Sequence, residues 1–127
     1  MTAFHYVLAG RPTTWKRTAL YAGRRITSGA QRKAQRAHQL AALAARPRDW
    51  RRDGRFAVDV SLDVGDMRRA DVDNLIKLIL DALNGVCWED DSQIDALNVT
   101  RALCGDAGPR TVVRVTRVGE RMARRAA

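Results

Sequence analysis

The sequence has little of what a membrane-spanning or secreted protein requires. Two cysteines, Cys87 and Cys104, are too few for a disulfide framework and lack the spacing of metal ligands. No run approaches the ~20 consecutive apolar residues of a membrane-spanning helix. The N-terminus also lacks a basic start followed by a long apolar run. These absences predict a cytoplasmic protein with reduced thiols and no membrane partner.

Acidic residues are missing from residues 1–48, which contain ten basic residues. The whole chain has 23 Lys and Arg against 14 Asp and Glu, a formal net charge of +9. Twenty of these bases are arginine, whose planar guanidinium pairs well with phosphate oxygens. Such charge also keeps a protein soluble, but its segregation favours a nucleic-acid partner. Residues 1–48 are the leading candidate for a DNA-facing surface.

Half of the acids are concentrated between residues 71 and 95, where a single lysine accompanies seven of them. This segment has a charge of −6, and the rest of the chain has a charge of +15. Within a basic protein, a compact group of carboxylates can hold a divalent cation against the phosphates of a polyanion. The seven acids are Asp71, Asp73, Asp81, Glu89, Asp90, Asp91 and Asp95.

The acidic segment contains a predicted helix from Asp73 to Asn84. At about 100° per residue, its polar residues share one narrow stripe and apolar residues fill the remaining circumference. Such a helix is expected to be buried except along this stripe. Gly85 supplies a stop, because glycine tolerates the left-handed turn that ends a helix. The polar stripe consists of Asp73, Asn74, Lys77, Asp81 and Asn84.

Each polar residue of this segment also has a simpler structural interpretation. Asp73 is a typical helix cap, although one cap needs only one acid and Asp71 lies two residues before it. Asp90 and Asp91 fit a solvated turn. Lys77 can form an ion pair with either acid one helical turn away. The residues alone leave both interpretations open.

The spacing of these residues resembles that of the RusA family of Holliday junction resolvases. These are small phage and prophage endonucleases that act in DNA recombination and repair. The resemblance rests on the string D-x-D-N-x-x-K-x-x-x-D-A-L-N-G, which is followed by W-x-D-D. The matching residues are Asp71, Asp73, Asn74, Lys77, Asp81, Ala82, Leu83, Asn84, Gly85, Trp88, Asp90 and Asp91.

The resemblance implies an endonuclease that depends on Mg²⁺, with Mn²⁺ as an alternative. Its metal ligands and catalytic residues are expected to be Asp71, Asp73 and Asp91, with Lys77 assisting catalysis. It also implies paired symmetric nicks in opposed strands of a four-way junction, hence a homodimer, and no small-molecule cofactor. Two alternatives remain: a structure-selective nuclease on other branched DNA, and a non-catalytic junction-binding protein whose acids only cap helices.

Six basic residues are candidates for contact with DNA. A predicted loop from Thr13 to Thr27 interleaves bases with Trp15 and Tyr21, which either stack on unpaired bases or fold back onto the core. Two arginines precede the acidic segment, where they can hold a bound phosphate. The six candidates are Lys16, Arg17, Arg24, Arg25, Arg68 and Arg69.

The pattern of the whole chain predicts one α+β domain over residues 1–127, with a basic tail at about 119–127. A further helix is predicted from a capping box at Ser28 and Gln31 to about Ala45, with a stripe of small residues that lets it lie close to a sheet. The order β-α-β-α-β-β implies a small mixed sheet with two main helices packed on it. Strands are predicted at residues 4–9, 56–64, 94–103 and 111–118, the last two forming a hairpin.

Overall fold

The computed structural model describes residues 2–12, 29–65 and 72–120, together with the backbone of two short strands at 19–21 and 24–26. It confirms the predicted α+β class. In chain order the elements are β1 (Ala3–Ala9), β2 (Ala19–Tyr21), β3 (Arg24–Ile26), α1 (Gly29–Ala45), β4 (Arg55–Val64), α2 (Val72–Leu83), a 3₁₀ turn (Asp91–Gln93), β5 (Ile94–Leu103) and β6 (Arg110–Gly119).

Four of the strands form a mixed sheet in the order β1-β6-β4-β5. β6 is antiparallel to β1 and β4, whereas β5 is parallel to β4. The predicted hairpin between the last two strands is therefore wrong, because β4 lies between them. Their connection, residues 104–109, crosses the end of β4, where the Cys104 backbone nitrogen donates to the Val64 carbonyl at 2.8 Å. This order gives β4, the strand with the most regular alternation, a partner on both edges.

The predicted loop between Thr13 and Thr27 contains a second, two-stranded sheet. β2 and β3 pair antiparallel, with Ala19 opposite Ile26 and Tyr21 opposite Arg24. Three-residue strands are too short to produce a readable alternation of apolar and polar residues. The hairpin was therefore not visible in the sequence.

The core lies between one face of the large sheet and the two helices. β4 contributes Phe56, Val58, Val60, Leu62 and Val64, each at most 4% exposed, while Asp59 and Ser61 on its other face are exposed. This confirms the predicted strand with one buried face. α2 adds six buried residues to the same side: Leu75, Ile76, Leu78, Ile79, Ala82 and Leu83.

The helix α1 ends at Ala45 as predicted, but it is rotated relative to the predicted stripe of small residues. The stripe predicted from the sequence consists of Ala30, Ala34, Ala37, Leu40, Ala41 and Ala44. The buried residues are instead Gln31, His38 and Ala42, and Leu40 is 54% exposed. A polar pair accounts for the difference, because the Tyr6 hydroxyl and His38 Nδ1 are hydrogen bonded at 2.8 Å. Periodicity of apolar residues cannot reveal a buried face that is partly polar. Ser28 of the predicted capping box lies outside the described residues.

Burial shifts the pKa of three ionisable groups, and it raises the pKa of the Tyr6 hydroxyl well above its usual range. It lowers the pKa of His38 to about 4 and raises the pKa of the Cys87 thiol to about 12. Both cysteines are free, Cys87 in the core and Cys104 half-buried. Within the described part of the chain, no helix is long and apolar enough to cross a membrane.

Candidate active site

A groove of about 310 Å³ lies between α2 and β5. Its floor is apolar, and four charged side chains surround it. Three of these, Asp73, Lys77 and Asp81, come from α2, and the fourth, Asp91, begins the 3₁₀ turn. Its apolar lining consists of Val72, Ile76, Leu80, Leu97 and Val99. We call this feature the acidic groove.

The predicted polar stripe on α2 is confirmed and forms one wall of the acidic groove. Asp73 and Lys77 are exposed and Asp81 is half-buried, while the opposite side of the helix is buried in the core. Lys77 Nζ lies 3.8 Å from Asp81 Oδ2, one helical turn away. The ion pair predicted for Lys77 under the structural interpretation is therefore present. With about half of its side chain exposed, Lys77 still faces solvent in the groove.

Asp91 reaches the groove because the residues on either side of it close a tight turn. Asp90 caps the 3₁₀ turn, and its Oδ2 accepts from the Ser92 backbone nitrogen at 3.1 Å. Gln93 Oε1 accepts from the backbone nitrogens of Glu89 and Asp90, at 2.8 Å each. Hydrogen bonds from the side chain and backbone of Ser92 lower the pKa of Asp90. The two neighbouring acids thus have different positions: Asp90 supports the turn, and Asp91 lines the groove.

The segment between α2 and the 3₁₀ turn, residues 84–90, is here called the connector. Its first residues reverse the chain: Gly85 has φ of +82° and its nitrogen donates to the Trp88 carbonyl at 2.7 Å. The Trp88 indole nitrogen donates to Asn84 Oδ1 at 2.7 Å, and the side chain of Trp88 is fully buried. The predicted stop at Gly85 is confirmed, since α2 ends at Leu83.

Residues 46–54 hold the connector from behind. Arg46 donates to the Val86 carbonyl at 2.8 Å, Trp50 to the Cys87 carbonyl at 2.8 Å, and Arg52 to the Gly85 carbonyl at 2.7 Å. From its sequence, RPRDWRRDG, this segment is predicted only to link two elements. Its role depends on contacts with residues about forty positions away, and no local pattern reports them.

Aromatic packing ties the same region to the sheet. Phe4 and Trp50 meet edge to face, with ring centroids 4.7 Å apart. Trp50 also contacts Phe56 at 5.9 Å, and Phe56 contacts Trp88 at 6.0 Å. The connector is therefore anchored to β1 and β4 through a continuous row of buried rings.

The start of β5 is fixed beside the 3₁₀ turn by an arginine on β4. Arg55 Nε lies 2.9 Å from Asp95 Oδ1, and Arg55 Nη2 donates to the Ser92 carbonyl at 3.0 Å. Gln93 adds a second tie, because its Nε2 donates to the carbonyls of Arg52 and Gly54. Sequence reasoning missed both residues as supports of the site. Asp95, the partner of Arg55, entered the sequence analysis only as one of the seven acids between residues 71 and 95.

Three of the four predicted catalytic residues, Asp73, Lys77 and Asp91, lie together in the acidic groove. The fourth, Asp71, lies outside the described residues. Among the residues that are described, no three acidic, histidine or cysteine side chains form a group that could hold a metal ion. Asp73 and Asp91 do offer exposed carboxylate oxygens, the ligands that Mg²⁺ and Mn²⁺ prefer when they retain several waters. The donor set therefore fits a hard divalent cation.

The predicted DNA contacts lie mostly beyond the described part of the chain. This applies to Lys16, Arg17, Arg68 and Arg69, and Arg24 and Arg25 are described only as backbone of β3. The first helix does carry a basic surface, since Arg32, Lys33 and Arg36 of α1 are all exposed.

Comparison with known protein families gives a match over most of the chain. Residues 10–116 match the family model described as endodeoxyribonuclease RusA. The matched range includes the acidic groove, the connector and both strands β4 and β5. No curated protein matches the chain.

Proposed function

Since this chain belongs to the RusA family of endodeoxyribonucleases, we propose that it resolves Holliday junctions by paired, divalent-metal-dependent nicks. The observation that carries this proposal is the acidic groove, where Asp73, Asp91 and Lys77 meet in a protein of net charge +9. A basic protein attracts DNA, and the acids of the groove provide a place where the DNA backbone can meet a metal ion.

The proposed ligands are Asp73 and Asp91, together with Asp71. A Mg²⁺ or Mn²⁺ ion bound there would activate a water and neutralise charge on the scissile phosphodiester. The half-exposed ammonium of Lys77 can orient the phosphate and stabilise negative charge that develops on its oxygens. Asp81, at 3.8 Å, restrains the lysine on the groove side of α2.

The proposed partner is a four-way DNA junction, bound by a homodimer. A junction has two-fold symmetry and two opposed strands to be nicked, whereas the described part of each chain contributes a single acidic groove. The basic candidates Lys16, Arg17, Arg24, Arg25, Arg68 and Arg69 are proposed to contact its phosphates. The exposed bases of α1 add to the attracting surface.

The decisive experiment compares a labelled four-way junction with a linear duplex of the same arms. Each substrate is incubated with the protein in Mg²⁺, in Mn²⁺ and in EDTA, and the products are resolved on a denaturing gel. We expect symmetric nicks in the junction alone, and only with metal. Equal cleavage of flaps and other branched substrates would replace the junction with a broader substrate class. Junction binding without cleavage in either metal would contradict the enzymatic proposal.

A further inference from the structure

The ten-residue strand β5 lies at one edge of the large sheet. It is paired with β4 on one side, and no strand in the described part of the chain pairs with its other edge. Long edge strands are normally protected by proline, lysine or a covering element, because their free backbone groups can pair with another chain. The β5 sequence, IDALNVTRAL, contains neither proline nor lysine. The pairing of β5 with β4 has one register shift, which lies near the start of β5 beside Phe56 and Ala57.

The face that β5 turns toward the helices is also left partly uncovered. Leu97 and Leu103 are in register with Val58 and Val64, which are buried at 1% and 4% exposure. The two leucines themselves are 45% and 64% exposed. The helices thus cover β4 completely and β5 only in part, since Val99 packs against the core while Leu97 and Leu103 stay exposed. An apolar surface continuous with the core remains beside an open strand edge.

The charges of β5 select one way of pairing the strand with itself. Asp95 and Arg101 are its only charged residues. In an antiparallel pair of identical strands centred on Asn98, Asp95 of each copy stands opposite Arg101 of the other. The same register places Leu97 opposite Val99. Arg55 contacts Asp95 through Oδ1, so the second carboxylate oxygen can accept from another guanidinium.

We propose that a second copy of this chain docks on β5, by antiparallel pairing of the two β5 strands about a two-fold axis at Asn98. The result is one continuous eight-stranded sheet. The inference rests on the proposed function for its choice of partner, since paired nicks require two copies. It adds the surface and the register, which that function does not specify.

The pairing has a direct consequence for the acidic groove. Leu97 and Val99 line the groove of each copy. In the proposed register, Leu97 of one copy lies opposite Val99 of the other. The two grooves therefore meet at the axis, on the same face of the joined sheet. Two acidic grooves related by a two-fold axis match the symmetry of a junction whose opposed strands are both cut.

A cysteine cross-linking experiment tests the register. With the axis at Asn98, the two copies of that residue have Cα atoms about 4.5–5.5 Å apart, within the range of a disulfide. We expect Asn98→Cys to form a cross-linked dimer under mild oxidation, shifting on a non-reducing gel from 14.2 kDa to twice that mass.

The matched control is Thr100→Cys, two residues along the same strand and also exposed on the same face. Its two copies would lie four residues apart along the strand, about 14 Å, and cannot be bridged. Cross-linking at Asn98→Cys with little at Thr100→Cys supports the proposal. Cross-linking of both variants to the same extent, or of Thr100→Cys alone, overturns it. So does a monomeric wild-type protein in sedimentation equilibrium with no cross-linking of either variant.

Parallel assays separate this inference from the proposed function. If the wild-type protein nicks junctions with Mg²⁺ but the Asn98→Cys variant forms no cross-link, the β5 interface is refuted and the nuclease proposal stands. A protein that cross-links at Asn98→Cys but cleaves no branched DNA supports the interface and contradicts the nuclease proposal.

Discussion

The acidic groove and the connector occupy one short stretch of chain, yet they use their side chains in opposite ways. In the groove, Asp73, Lys77 and Asp91 are exposed. In the connector, Trp88 and Cys87 are fully buried, and the backbone carbonyls are taken up by Arg46, Trp50 and Arg52. The difference teaches that a contiguous motif can combine reacting groups with the groups that hold them. Substitutions in the two regions should therefore fail in different assays.

The largest effect on the groove side is expected from Asp91→Asn. Removing a carboxylate that is exposed and proposed to bind metal should reduce the cleavage rate by on the order of a thousandfold, with little change in unfolding free energy. The measurement is single-turnover cleavage of a four-way junction, beside urea unfolding of the same preparation. Asp59→Asn, which makes the same change on the exposed face of β4 away from the groove, is the control and should retain full activity. Full cleavage by Asp91→Asn would remove this residue from the site.

The largest effect on the connector side is expected from Trp88→Ala. This change empties a fully buried position and removes the hydrogen bond to Asn84, so it should cost about 3–5 kcal/mol of unfolding free energy. Equilibrium urea unfolding measures the loss, and Trp88→Phe, which keeps an aromatic ring, should recover much of it. If Trp88→Ala were as stable as wild type but had lost cleavage, the connector would contribute to catalysis, which contradicts the separate roles proposed for the connector and the groove.

Lys77→Ala should have an intermediate effect, because the lysine interacts with an acid of the protein as well as with the proposed substrate. We expect cleavage to fall by roughly 10–100-fold with the unfolding free energy nearly unchanged, since exposed ion pairs contribute little to stability. The comparison is the cleavage rate at saturating Mg²⁺ against that of Asp81→Asn, which keeps the ammonium but removes its partner. An unchanged cleavage rate in Lys77→Ala would show that the lysine has no role in cleavage and only pairs with Asp81.

The smallest effect is expected from Asp90→Ala, and it depends on pH. Because hydrogen bonds from Ser92 lower the folded-state pKa of Asp90, the stability that this cap contributes is present at neutral pH. It is lost as the pH falls through the folded-state value. The thermal midpoints of wild type and Asp90→Ala should therefore differ at neutral pH and converge at acidic pH, as the Asp90 carboxylate becomes protonated. A constant difference would show that the carboxylate charge does not contribute to the cap.

The sequence was a good guide to α2 and a poor guide to what surrounds it. The polar stripe of α2, its stop at Gly85 and the one-sided burial of β4 follow from local periodicity and turn chemistry, which the sequence displays directly. For the site, the spacing of Asp73, Lys77 and Asp91 identified three residues that the fold brings together. These features depend on residues close together in the chain.

The errors involve residues far apart in the chain. A hairpin is the simplest link between two successive strands, yet β5 pairs with β4 instead, and nothing in either strand reports that choice. The support that Arg46, Trp50 and Gln93 give to the connector and the 3₁₀ turn depends on contacts between distant residues. The buried Tyr6–His38 pair disguised the inner face of α1, because a satisfied polar pair looks like surface in a hydropathy pattern.

The pairing of β1 with β6 has a consequence for how the chain acquires its structure. Phe4 lies opposite Val115, so β1 has no strand to pair with until β6 has been synthesised. The central strand β4 likewise pairs only with strands that follow it. On a ribosome, its apolar face would emerge well before either partner. We therefore expect folding to be slow for a protein of this size and completed after β6 is released, with the unpaired β4 exposed to aggregation or chaperone binding in the interval.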